Sequence, residues 1–290
     1  MRRLLALGAL ALVAPGCGGG SSPAVPTIPA ARVYELVSFE PSAPVVAGKP
    51  VELSFTIRQP DGTPLTRFRR GPGPHTGVHL IYVRDDLAEI VHHHPPVTAA
   101  GRIVDRVTFP APGPYRLVVD VYPAPARGSA PGAPAAPGQA SNFQLFRTVR
   151  VGGDYAPDPL PPPARVERVG GYRFSLAGAG RLKAIRAQLV RVSVTGPGGR
   201  RPAFRTYYGA LAHAIFFRRG SLDYFHTHVC APDATGCTSS LGAASVTGTS
   251  PTPGTLTVGV LVPVPGTWRL FLQVDVGGRL LTVPFTLRVT

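Results

Sequence analysis

A histidine followed 13 and 15 residues later by two more occurs twice in this chain, in HLIYVRDDLAEIVHHH at 79–94 and in HAIFFRRGSLDYFHTH at 213–228. The second trio lies 134 residues after the first, with no gap inside it. Each trio brackets two β-prone runs around a polar centre, which is the pattern of a β-hairpin. Turns centred on Asp85-Asp86 and on Arg219-Gly220 set His79 opposite His92 and His213 opposite His226. The third histidine, His94 or His228, then sits on the same face one diagonal away. Opposed Cβ atoms are about 5 Å apart and diagonal ones about 7–8 Å, within reach of one metal ion bound through imidazole at about 2 Å. A three-histidine metal site is therefore predicted in one or both hairpins.

The same residues have a second reading. Strand faces alternate, so His79 shares its face with Ile81 and Val83, and His92 and His94 share theirs with Ile90. In the second copy the companions are Ile215, Phe217, Leu222 and Tyr224. An apolar face is a core face, and histidines there can pack and bond to one another without any metal. Both readings stay open from the residues. Asp85 and Asp86 read as turn formers. His93 points to the opposite face, His75 lies in the loop GPGPH, and neither has a counterpart in the second copy.

At the start of the chain, MRR precedes a ten-residue apolar run, Leu4 to Val13, closed by Ala14-Pro15-Gly16-Cys17. The run is too short to span a bilayer as a helix and has the layout of a secretory signal. Its end resembles the lipobox of bacterial lipoproteins, with alanine where leucine is usual. That resemblance implies cleavage after residue 16, lipid on Cys17, and an exported protein held on the extracytoplasmic face of the membrane. A plain cleaved signal is the alternative. Residues 17–32, rich in Gly, Ser, Pro and Ala, form a flexible tether.

With Cys17 assigned to lipid, Cys230 and Cys237 remain, and outside the cytoplasm a disulfide closing CAPDATGC is expected. The rival is Cys230 as a fourth ligand, since it continues the alternation of His226 and His228. After loss of Arg2 and Arg3, 28 basic residues face 15 acidic ones. A basic surface can favour anionic lipid or cell-wall polymer, and a merely solvated basic surface is the simpler reading. No aromatic-interleaved basic motif of the single-strand binders is present, so nucleic acid is not an expected partner.

A second repeated signature follows each hairpin. VTFPAPGPYRLVVDV at 107–121 matches VGVLVPVPGTWRLFLQV at 258–274, setting Tyr115 over Trp268 at an offset of 153. Both aromatics read as core. Earlier strands at Val51 to Ile57 and Ala187 to Val194 each lead into a Pro/Gly turn, and last strands run from Phe143 to Val151 and from Leu281 to Val289. Short strands, Pro/Gly turns and no amphipathic helix predict an all-β chain of two tandem immunoglobulin-like β-sandwiches. The boundaries read 33–152 and 165–290, joined by a stiff Pro-rich linker at 153–164. A Pro/Ala/Gly insert at 123–140 reads as a mobile loop.

Three neutral imidazoles with no thioether favour divalent copper, with zinc behind it. An enzyme is not expected. Cupins also combine H-x-H with P-x-G, but they need a glutamate shortly after the first and a histidine after the second, and both are missing. There is no G-x-S-x-G, no phosphate loop and no evident pair of acid/base carboxylates.

The hairpins with FPAPGPYRL and VPVPGTWRLFLQV look like a group of exported bacterial proteins, common in actinobacteria. These carry tandem immunoglobulin-like domains similar to YtkA-like and CopC-like β-sandwiches. The family pattern is a histidine, a turn with Asp-Leu, then H-x-H and proline. His79, His92, His94 and Pro95 match it, as do His213, His226 and His228, with Val229 in the proline's place. The resemblance implies copper or heavy-metal handling, and with it a protein that donates or accepts the ion. The alternative is a cell-surface scaffold in which the histidines are structural.

Overall fold

The structure is a computed structural model and describes residues 33–69, 77–124, 142–231, 239–241, 244–246, 248–250 and 252–290. The signal segment, Cys17 and the tether, His75, nearly all of the 123–140 insert and Cys237 lie outside the described residues. Residues 33–290 cluster as one compact unit.

The chain is all-β. Its first half contributes β1 (Glu35–Glu40), β2 (Val45–Val46), β3 (Pro50–Arg58), β4 (Val78–Arg84), β5 (Ile90–His93), β6 (Arg102–Thr108), β7 (Gly113–Val121) and β8 (Phe143–Gly152). The second half contributes β9 (Val166–Val169), β10 (Tyr172–Ala177), β11 (Gln188–Thr195), β12 (Phe204–Arg205), β13 (Ala212–Arg218) and β14 (Tyr224–Cys230). It continues with β15 (Ser239–Leu241), β16 (Ala244–Val246), β17 (Gly248–Thr249), β18 (Thr255–Val260), β19 (Gly266–Val276) and β20 (Arg279–Val289). The first half builds two sheets, β1-β3-β6 and β2-β8-β7-β4-β5. In the second half β17 pairs with both β14 and β18, joining the two layers into one path, β12-β19-β13-β14-β17-β18-β11-β10-β9, with β20 beside β19. Every strand pairing among the described residues stays within its own half.

Each half has its own apolar core, one around Leu53, Phe55, Tyr82, Tyr115 and Leu117, the other around Val192, Phe216, Trp268, Leu270 and Phe285. Tyr115 and Trp268 are both fully buried, as their place in the repeat predicts. Their polar tips perform one task in two chemistries. Tyr115 Oη donates to the Ala111 carbonyl at 3.0 Å and Trp268 Nε1 to the Val264 carbonyl at 3.1 Å, each four residues back across the Pro-Gly turn. A buried aromatic needs such a partner for its O–H or N–H.

A third cluster joins the halves. Ile81, Val83, Leu87 and Val118 pack with Ile215, Phe217, Leu222 and Phe271. β4 and β13 are therefore covered on both faces: Leu80 and Tyr82 point into the first core, and Ile81 and Val83 point to the second half. The apolar face that carries the histidines is thus the contact between the two halves, and not the interior of either sandwich.

The hairpin register differs from the expected one by two residues. Ile81 pairs with His92 and Ile215 with His226, so His213 faces His228, and the first hairpin continued by one step sets His79 against His94. The turns explain the slip. Arg84 N bonds Glu89 O and Arg218 N bonds Asp223 O, closing four-residue loops in which Leu87 and Leu222 take φ of 64° and 56°. Leucine is unfavourable in the left-handed region, but both side chains are buried in the joining cluster, at 1% and 6% exposure. Their burial offsets the backbone cost. Leu87→Ala keeps the strained backbone and removes the anchor, so it is expected to lower stability by about 2–4 kcal/mol in urea unfolding.

The linker has no regular structure and is tied to the first hairpin turn. Asp86 accepts from Ala88 N and from Asp158 N, and Arg84, buried, pairs with both Asp86 and Asp158. Asp86 therefore acts as the turn former expected of it. Leu160 packs on the joining cluster.

Candidate metal centre

Alternation along β4, β5 with the residue that follows it, β13 and β14 sends all six histidines of the two trios to the contact between the halves. His79, His92, His94, His213 and His226 are each at most 9% exposed, and His228 is partly buried. Sequence reasoning places one trio on each hairpin. The structure brings the two trios face to face as one cluster.

The distances are short. His79 Nδ1 lies 3.3 Å from His226 Nδ1, and His213 Nδ1 lies 3.2 Å from His226 Nε2. His94 Nε2 lies 3.1 Å from His92 Nε2. Among the described residues, three groups hold ligand atoms within 4.8 Å of one another: His79, His226 and His228; His79, His92 and His94; and His92, His213 and His226. Only the second group is a trio from one hairpin. Cys230 belongs to none of them and packs with Ala210. Its pairing with Cys237 falls outside the described residues. His93 faces away, as expected, with Nδ1 2.9 Å from Asp105.

Partners outside the cluster select which nitrogen of each ring is available. The Tyr207 carbonyl can only accept, so His213 Nε2 donates to it at 2.9 Å and the Nδ1 lone pair points at His226. His92 Nδ1 donates to Gln273 Oε1 at 2.9 Å, which turns Nε2 inward. Such outer hydrogen bonds fix the tautomer and orientation of metal-ligating histidines. His94 is held between two rings, stacked at 4.0 Å on His79 and at 4.0 Å on Tyr208.

Among the described residues, one carboxylate approaches the cluster. Asp120 pairs with His79 across β7 and β4, and its Oδ2 lies 4.0 Å from His79 Nδ1 and 3.8 Å from His226 Nδ1. Burial pushes its carboxyl up to about 6, against hydrogen bonds from Gln144, Tyr224 and Tyr122 that pull it down. The Tyr224 bond, at 3.1 Å, crosses between the halves. Burial, with Asp120 alongside, raises the Tyr224 hydroxyl well above 10, so it remains a donor. Burial, and after it the neighbouring histidines, holds His79 and His226 well below 6.5, so both rings are neutral at pH 7.

Asp120 was not among the residues expected from the sequence, nor was its counterpart Gln273, which pairs with His213 across β19 and β13. The second repeated signature contains the signal, because Asp120 and Gln273 align at its offset of 153.

Fold and site together define an all-β protein of tandem sandwiches with a histidine centre buried between them. The chain belongs to the family described as Domain of unknown function (DUF8832), matched over residues 32–129 and 167–290. No curated protein matches it significantly in sequence. Among solved structures it is similar to a Salmonella alpha-2-macroglobulin mutant (14% identity, TM-score 0.26, 92% of this chain and 15% of that one). It is also similar to invasin, a bacterial integrin-binding protein (12% identity, TM-score 0.21, 87% and 38%). A third is the Escherichia coli adhesin FdeC (13% identity, TM-score 0.24, 90% and 65%). The chain thus spans less than two thirds of each of these three proteins.

Proposed function

We propose that this protein binds a divalent transition metal, zinc or copper, through His79, His92, His94, His213, His226 and His228 acting as one centre. The carrying observation is the spacing of the facing nitrogens. Two ligands at about 2.0 Å on a tetrahedral ion lie about 3.3 Å apart; the contacts of His226 with His79 and His213 measure 3.3 and 3.2 Å. The length of about 2.9–3.0 Å usual for a hydrogen bond applies to N–H···O pairs, and N–H···N pairs run slightly longer, so the spacing fits a tetrahedral occupant as well as a hydrogen bond. The tetrahedral fit raises zinc beside copper. The proposed role is binding or buffering, not turnover, in an exported protein anchored by lipid at Cys17, with a second protein supplying or receiving the ion. A Cys230–Cys237 disulfide fits that compartment.

The second reading is a surface scaffold whose histidines only pack. It is supported by the chain of contacts from the Tyr207 carbonyl through His213 and His226 to His79, which satisfies those rings without any ion. Titration of the full chain with Zn(II) separates the two. Tight binding is expected, with a higher melting temperature and a gain in unfolding free energy of about 3–4 kcal/mol at 100 to 1,000 times the dissociation constant. The double variant His92→Ala, His94→Ala is expected to fold and to lose at least tenfold in affinity. Equal, weak binding by both proteins would leave the scaffold reading standing alone.

A further inference from the structure

We infer that the centre holds two divalent ions joined through His226, whose ring bridges them as an imidazolate. The inference rests on the metal reading above and deepens it. His226 uses its two nitrogens on opposite sides: Nδ1 faces His79 Nδ1 at 3.3 Å, and Nε2 faces His213 Nδ1 at 3.2 Å. The nitrogens of one imidazole diverge, so a single ion cannot accept both. Two of the three ligand groups divide accordingly. One contains His79, His226 and His228, the other His92, His213 and His226, and they share His226 alone. Tyr207 and Gln273 have already turned His213 Nδ1 and His92 Nε2 toward the second position.

When both ions bind, the single N–H proton of the His226 ring leaves to water. Each ring nitrogen gives one lone pair to one ion, and no electrons change hands. Two bonds of about 2 Å and the width of the ring place the ions about 6 Å apart. The negative bridge, with the Asp120 carboxylate 3.8 Å from His226 Nδ1, offsets part of the penalty of burying two dications.

The test is a Cu(II) titration of the full chain followed by electron paramagnetic resonance. Two equivalents should bind, and the signal that grows with the first should shrink as the second enters, because an imidazolate bridge pairs the copper spins. His226→Ala, checked for folding by circular dichroism, should lose that spin pairing. His228→Ala removes a ligand of one position only and should weaken the second equivalent at least tenfold. Saturation at one copper, or two coppers with additive signals, would overturn the bridge and leave the metal reading intact. No binding at all would overturn both.

Discussion

Exchanging Asp120 for asparagine is expected to stabilise the metal-free protein at pH 7.5 and, in the same molecule, to weaken its hold on divalent ions. The carboxyl is displaced by burial from 3.8 to about 6, so the fold carries an unfavourable buried charge at neutral pH. A displacement of that size corresponds to about 3 kcal/mol at most. Asparagine keeps the shape and can still accept from Gln144 or Tyr224, so a gain of about 1–3 kcal/mol in urea unfolding is expected. Metal affinity should move the other way. The carboxylate oxygen lies 4.0 and 3.8 Å from two candidate ligand nitrogens, so its negative charge attracts a dication held there, and its loss should weaken affinity about tenfold. Competition against a chelator measures that loss. A variant that is less stable, with unchanged affinity, would make Asp120 a structural acceptor for Tyr122, Tyr224 and Gln144 and nothing more.

The two trios show how far the sequence can be read. Alternation assigns the histidines to one face of each hairpin, and that assignment is insensitive to the register error. A slip of two residues leaves every side chain on its own face, whereas a slip of one would have exchanged the faces. The true register depends on Leu87 and Leu222 holding left-handed backbone, which no propensity of leucine signals. It is set by their burial against the other half, a tertiary effect. That the two faces meet is also absent from the spacing, because a displacement of 134 residues says nothing about docking. A clue was nevertheless present. In VHLIYV the residues Leu80 and Tyr82 and the residues Ile81 and Val83 make both faces apolar. An antiparallel strand of that kind has to be covered twice, and one sandwich supplies only one cover. With the other sandwich as the second cover, the two predicted sites become one. Asp120 was legible by the same logic, being the cross-strand neighbour of the first histidine in a signature whose other copy has glutamine.

Acid should destabilise the metal-free protein from pH 6.5 downward, well before ordinary carboxylates titrate. His79 and His226 are held neutral, well below 6.5, by burial and by each other's company. In the unfolded chain each takes up a proton near 6.5, so below that pH the unfolded state binds more protons and stability falls with pH. The slope is about 1.4 kcal/mol per unit for each ring. Asp120 acts in the opposite sense. Its folded carboxyl, at about 6 against 3.8, binds a proton before the unfolded one does, which returns about 1.4 kcal/mol per unit as the pH falls from 6 to 4. The two rings outweigh the one carboxyl, so stability still falls over that range. Asp120→Asn removes the opposing contribution, so its slope should be steeper by about 1.4 kcal/mol per unit. Urea unfolding at intervals from pH 7.5 to 4.5 measures both slopes. Saturating Zn(II) should shift the onset to lower pH, because an ion bound to imidazole nitrogen has to be displaced before the ring can be protonated. A stability flat from 7.5 to 5 would mean that these two rings accept protons in the folded state, and rings charged side by side at 3.3 Å are incompatible with the packed centre described above.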